Sequence, residues 1–364
     1  MRVLYAIQGT GNGHISRARD IIPVLQKHCE LDILISGTQA DVQLGFPVTL
    51  QKKGISFIFG KQGGVDVWNT YIRTNILRIQ NEIRSIPVRD YDFIINDFEP
   101  ISAWACYLRR VPCLALSHQA ALLDKSVPRP SRRDAFGAFI LKNYAPAMMK
   151  MGFHFQAYAP HIYTPVIRTQ VREMTIEELD HYTVYLPSYD HVKLVKRLNR
   201  FNANWHVFSK HTKTVETVGT VSIFPIDNGN FLQSMASSRG VLCGAGFETP
   251  AEALFWGKKL LVVPMKKQHE QHFNAAALKE MGVPILRNLK KKNVPMIADW
   301  LEKNEIVNVK YDDITEKVIA TIFAKDTLAS LKSKSWKTKY ELYFDPMDNL
   351  HTNNLPKLDV THGK

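Results

Sequence analysis

The feature that most constrains this chain is an alternation, running through most of its length, of short apolar runs with longer amphipathic stretches. Arg2 to Ile7 (RVLYAI) predicts a buried strand, and a glycine loop at residues 9–13 follows it. Residues 15–28 carry apolar positions at Ile15, Ala18, Ile21, Ile22 and Leu25, a helical stripe in which Pro23 predicts a kink or a break. Further strands are expected at Leu31–Ser36, Ile55–Phe59, Tyr91–Asn96 and Pro112–Ser117. Strands separated by helices imply parallel pairing and a doubly wound sheet.

From about Leu122 to Pro160 the pattern changes. DKSVPRPSRRD is basic and proline-rich, a loop carrying Arg129, Arg132 and Arg133. FGAFILKNYAPAMMKMGFHF, dense in aromatics and methionine, reads as core or inter-domain packing, with lipid contact as the alternative. A strand across Tyr163–Val171 is expected to close the first series, and a helix over Thr175–His181 to lead into the next. That second series has strands at Thr183–Leu186, Trp205–Ser209, Val221–Phe224, Gly240–Cys243, Lys259–Val263 and Pro284–Leu286. A chain of 364 residues suits two domains with separate cores. The expected division is 1–170, 171–325, and a polar, lysine-rich tail at 326–364. The fold class is α/β, two Rossmann-like doubly wound domains facing across a cleft, with ligands at the carboxyl ends of the strands.

Composition narrows the function less. The four cysteines, Cys29, Cys106, Cys113 and Cys243, have no CxxC spacing and lie in or beside apolar segments, as buried reduced thiols do. The amino terminus has too short an apolar stretch for a signal peptide, and no run reaches the roughly 20 residues of a spanning helix. A cytoplasmic protein is expected, free or peripheral on the inner face of the membrane. A net charge of +13 favours anionic partners, among them nucleotide sugars, anionic lipid and nucleic acid.

Two loops carry chemistry. Gly9-Thr10-Gly11-Asn12-Gly13-His14 follows the first strand and opens a helix, where backbone amides can approach an anion. The dinucleotide pattern GxGxxG is absent, because His14 stands where a third glycine or alanine belongs, and Ser36 and Gly37 end the second strand without an acid. A histidine at that edge can accept a proton from a hydroxyl. The second loop, Gly244-Ala245-Gly246-Phe247-Glu248-Thr249-Pro250-Ala251-Glu252, follows GVLC. Thr249 through Glu252 reads as a capping box with proline at the first helical position. Glu252 then either caps that helix or points into the cleft to accept ribose hydroxyls.

Gly246 to Thr249, Glu252-Ala253-Leu254, Pro264, Glu270-Gln271 and Asn274-Ala275 together resemble the donor-site signature of GT-B glycosyltransferases. They are similar to the UDP-glycosyltransferases and to the N-acetylglucosaminyltransferases that form lipid II. The loop GTGNGHISRA is similar to that of a group of bacterial and archaeal glycosyltransferase-like proteins. The resemblance implies that Glu252 holds the donor ribose and that Gly244, Gly246, Phe247 and Thr249 line the diphosphate. It implies that Glu270 and Gln271 reach the sugar hydroxyls and that Phe224 borders the base pocket. Ser188 stands where related enzymes bind phosphate, with a helix cap as its alternative. Gly11, Asn12, Gly13, Glu99 and His118 fall on the acceptor side.

Asn96-Asp97-Phe98-Glu99, at the end of the fourth strand, adds two carboxylates beside His14 and His118. The expected reaction moves a hexosyl group from a nucleotide-diphosphate sugar, UDP-linked, to an acceptor hydroxyl with inversion. His14, or Asp97 alone or through it, takes the proton. No Asp-x-Asp pair stands in a suitable loop, so neither metal nor other cofactor is expected. The acceptor side admits a glycan, a lipid-linked or a small-molecule hydroxyl, with contact to anionic membrane at the arginine loop. Two rivals are a non-hydrolysing UDP-sugar 2-epimerase and a nucleic-acid-binding protein. Only the net charge favours the second, since no RNA-binding motif is present.

Overall fold

A computed structural model describes residues 1–37, 43–55, 75–132 and 134–336. The first series forms β1 (Arg2–Gln8), β2 (Glu30–Ser36), β3 (Leu50–Lys52), β4 (Phe93–Asp97), β5 (Cys113–Ser117), β6 (Met149–Phe153) and β7 (Ile162–Tyr163). They make one sheet in the order β3-β2-β1-β4-β5-β6-β7, with every pairing parallel. The second series forms β8 (Tyr182–Tyr185), β9 (Trp205–Ser209), β10 (Glu216–Val218), β11 (Val221–Pro225), β12 (Gly240–Cys243) and β13 (Lys259–Val262). Their order is β10-β11-β9-β8-β12-β13, parallel except at the β10 edge. In both sheets the strand order reverses beside the first strand of the series, which opens a crevice at its carboxyl end.

The apolar runs are continuous because both faces of each sheet are covered. Val3, Tyr5 and Ile7 point to the helix Asn12–Leu25, packing with Ile15, Ile21 and Ile22, while Leu4 and Ala6 face Ile101 and Cys106 on the helix Pro100–Arg109. That period of two along β1 is the pleat itself. All four cysteines are free, and Cys106, Cys113 and Cys243 are buried.

Several expectations differ from the structure. Residues 56–59 of the expected third strand lie outside the described residues, and the third strand is Leu50–Lys52. Pro23 does not end its helix, which runs to Leu25. The strand expected across Tyr163–Val171 stops at Tyr163, and Thr169–Glu173 is a short helix. Thr175–His181 is not helical, because its backbone is engaged elsewhere. Glu177 and Leu179 donate their amides to the carbonyls of Ala236 and Ser237, which end the helix Asn228–Ser237. The aromatic and methionine segment divides into a helix, Ala135–Asn143, and the unforeseen strand β6, whose Met151 and Phe153 enter the core. Pro284–Leu286 contributes one bridge, Val262 to Ile285, rather than a strand.

The chain finally returns to its beginning. In the helix Thr315–Phe323, Val318, Ile319 and Ile322 join the core of Ile21, Ile22 and Leu25, and Phe323 stacks on His28 at 5.1 Å. Trp336, beyond the expected boundary at 325, donates its indole N–H to the Val111 carbonyl at 3.1 Å. Residues on both sides of that boundary therefore pack on the first sheet.

Candidate functional site

The glycine loop after β1 turns directly into the helix Asn12–Leu25, with Gly11 at φ 94° as its N-cap. That left-handed value suits glycine and no β-carbon. A Cβ on Gly13 would stand 3.0 Å from Glu248 Cγ, so the two domains meet there at glycine distance. Asn12 begins the helix and sets His14 at its first turn.

His14 Nδ1 lies 2.8 Å from Asp97 Oδ1, at the end of β4. Asp97 is fully buried, and Arg17 Nη2 donates to both of its oxygens at 2.8 Å. Burial alone would raise that carboxyl, but the charges of Arg17 and His14 outweigh it and hold Asp97 below the usual carboxylate range. An ionised Asp97 accepts only, so the hydrogen of this bond belongs to His14 Nδ1. Nε2 lies 3.5 Å from Gln119 Nε2, and Gln119 in turn donates to Glu270 Oε2 at 3.0 Å from the second domain.

Several contacts cross the cleft here. Arg17 Nη1 donates to Glu248 Oε1. Gln119 reaches Glu270. His118 Nε2 lies 2.7 Å from Asn274 Oδ1, and its ring stacks on Phe247 at 3.9 Å and 9°. Arg168, on the segment joining the sheets, grips Glu252 through Nε at 2.6 Å and Nη2 at 2.9 Å. Burial pushes the Glu248 carboxyl up to about 7, with Arg17 opposing and Glu252 adding to the rise. Burial likewise lowers His118.

The structure redistributes several expected roles. His14 and Asp97 are brought together. Glu99 is not in the site: it is fully buried and caps the helix Pro100–Arg109, accepting from Ile101 N at 2.7 Å and Ser102 N at 2.6 Å. His118 is buried between the domains rather than facing an acceptor. The capping box at Thr249 does not form, because the helix begins two residues earlier, at Glu248 rather than Pro250, with Phe247 as its uncapped N-cap. Glu252 accordingly does not cap that helix. Ser188 lies in the turn after β8, but the cap of the helix His191–Leu198 is Asp190, accepting from Lys193 N at 2.9 Å. Phe224 stacks on Phe208 at 5.3 Å, at the end of β11. Gln271 spends its carbonyl on Met265 N at 2.8 Å, while a Cβ on Gly246 would meet nothing within 4 Å, which leaves that loop open.

Arg17 and Arg168 are not among the expected site residues. Arg17 follows His14 by three residues on one helix, a spacing that shares a face, and this was a legible signal. Arg168 carries none, since its partner Glu252 is 84 positions away. Arg133 lies outside the described residues. Among the described residues no group of three or more His, Cys, Asp or Glu side chains is placed to hold a metal ion, and no helix is long and apolar enough to cross a membrane.

A family model for glycosyl transferase family 1 matches residues 1–304. Among solved structures the chain is similar to a UDP-glucosyltransferase from Polygonum tinctorium at 15% identity and TM-score 0.53, covering 91% of this chain and 97% of that one. It is similar to MurG of Acinetobacter baumannii at 13% identity and TM-score 0.51, covering 91% and 98%. It is also similar to the spinosyn forosaminyltransferase SpnP at 12% identity and TM-score 0.53, covering 91% and 95%. No curated protein matches the chain by sequence. At such identities the likeness shows the fold, two doubly wound domains of the GT-B type.

Proposed function

The chain belongs to glycosyl transferase family 1, and from that premise we propose that it transfers a hexosyl group, with inversion and without a bound metal, from a UDP-sugar to an acceptor hydroxyl. The observation that carries this reading is the His14–Asp97 pair at 2.8 Å, with the second ring nitrogen turned toward Gln119 and Glu270. The acceptor O–H gives its proton to His14 Nε2 while the oxygen attacks the anomeric carbon opposite the leaving diphosphate. Asp97 stabilises the imidazolium that forms.

The leaving diphosphate meets the amides of the Gly244–Thr249 loop and the head of the helix Glu248–Phe255, where fixed dipoles receive negative charge without reorganising. Glu252 keeps one lone pair on each oxygen beside its bonds to Arg168, and these accept the ribose hydroxyls. Phe224 and Phe208 border the base, Ser188 a phosphate, and Glu270 the sugar. The name of the Polygonum relative supports UDP as the nucleotide. The donor panel decides it.

The test has two stages. A thermal-shift panel of nucleotide sugars should single out a UDP-linked donor, and no shift with any of them would sink the donor assignment. Acceptor-dependent release of UDP should then persist in EDTA and fall about 10²–10⁴-fold in kcat for His14→Ala. Full activity in that variant removes His14 from the reaction.

A further inference from the structure

Arg17 has no part in the transfer step described above, yet its side chain is only 2% exposed. Its Nη2 holds both oxygens of Asp97 at 2.8 Å and lies 3.2 Å from His14 Nδ1, while its Nη1 holds Glu248 across the cleft. We infer that Arg17 is a positioning residue: it neutralises Asp97 so that His14 remains an unprotonated base, and Glu248 of the donor loop holds it there. This inference rests on His14 being the base.

The argument is one of charge balance. A buried carboxylate needs a cation, and removing that cation leaves an uncompensated charge. Asp97 touches two groups that can supply one, the guanidinium of Arg17 and the imidazole of His14. The guanidinium is charged at every working pH, so with Arg17 in place the ring need not be protonated. Without it, the proton on His14 becomes the only compensation, and a ring that keeps its proton cannot take one from a hydroxyl.

Among the described residues the surrounding groups leave no substitute. Tyr5 on β1 faces the pair and is neutral, its phenol raised by burial first and by Asp97. Glu248 and Glu252 approach from the helix Glu248–Phe255, but Glu252 is already neutralised by Arg168. Glu270 acts only through Gln119. These are anions or neutral groups, apart from Arg168, which is engaged with Glu252. Arg17 is therefore the cation that links the acceptor-side pair to the donor loop.

The experiment follows the His14 imidazole by nitrogen-15 NMR through a pH titration of the full chain, without substrate. In the parent chain His14 should be the neutral tautomer with hydrogen on Nδ1 at pH 7. Arg17→Gln should raise its midpoint by about 1–3 pH units, and Arg17→Lys, which keeps the charge, should stay within about half a unit of the parent. A midpoint unmoved or lowered in Arg17→Gln overturns the inference. If that variant does not fold, a rise of more than about one unit in Arg17→Lys overturns it, because shape rather than charge would then decide the titration. On an active donor–acceptor pair the acidic limb of the kcat profile should move with the NMR midpoint. A purely structural Arg17 would lower kcat without moving the limb. Failure of the titration leaves the transferase reading standing, and absence of UDP release from the parent chain overturns that reading whatever the titration shows.

Discussion

Asp97 and Glu252 are both buried carboxylates bound to arginine, and they differ in what their loss should do. Asp97→Asn keeps the shape beside His14 but removes the charge that would stabilise the imidazolium. It should lower kcat by about 10²–10⁴-fold with little change in donor KM, in a steady-state assay of UDP release. Glu252→Gln instead leaves the part-buried Arg168 facing a neutral amide in place of its carboxylate partner. Breaking a fully buried pair costs about 3–5 kcal/mol, and this part-buried one less, so the urea midpoint should still fall. Replacing both residues by apolar ones of similar volume should recover part of that stability. If the single and double variants unfold alike, the pair is not what stabilises this junction.

At the scale of elements, Glu99 shows how a strand-to-helix junction uses a residue that looks catalytic in sequence. Its carboxylate accepts from two amides at the start of the helix Pro100–Arg109 and from Ser36 Oγ at 2.5 Å, so three donors depend on it. Burial raises its pKa, with Ser102 and Ser36 opposing. Glu99→Ala should cost about 1–3 kcal/mol by chemical denaturation and should leave the pH dependence of kcat where it was. A moved acidic limb would return Glu99 to the site. The same junction logic explains why Asp97, two residues earlier, escapes capping: it still belongs to β4 and points toward Arg17.

Across the whole molecule, stability should depend on pH through buried imidazoles. Burial is the leading cause that lowers His118, His154, His181 and His206, the last to about 4. A base with a depressed folded pKa adds stability that is complete above its unfolded value of about 6.5. That stability is lost as pH falls toward the folded value. Glu248, raised to about 7, and Glu99, also raised by burial, work in the opposite sense, two carboxyls against five imidazoles once His272, which burial lowers as well, is counted. The melting temperature should therefore be flat above about pH 7 and fall below about 6.5. A melting temperature that rises on acidification through that window would refute the balance. The returning carboxyl-terminal helices add a second whole-molecule expectation. Deleting residues from 313 onward would expose the apolar faces of Ile21, Ile22 and Leu25, so the truncated chain should melt lower and aggregate.

What the sequence alone determined is local. Short apolar runs mark β1, β4, β5, β9, β12 and β13, with glycine loops following β1 and β12, because a buried parallel strand needs nothing beyond its own residues to be apolar. His14 was legible because a histidine ending a glycine loop after a strand has one place to be. The loop after β12 and the helix that follows it were legible because the glycines and Pro250 lie within a few residues of one another. What only the tertiary structure decided are the partners. β6 was hidden inside an aromatic stretch whose pairing with β5 is a long-range event, and the helix expected at Thr175–His181 was overridden by carbonyls from Ala236 and Ser237. Arg17 with Glu248, Arg168 with Glu252 and Gln119 with Glu270 join residues 231, 84 and 151 positions apart. Sequence carries propensity over a few residues. A buried charge is decided by whichever opposite charge the fold brings within hydrogen-bond reach, and only the assembled cleft specifies that.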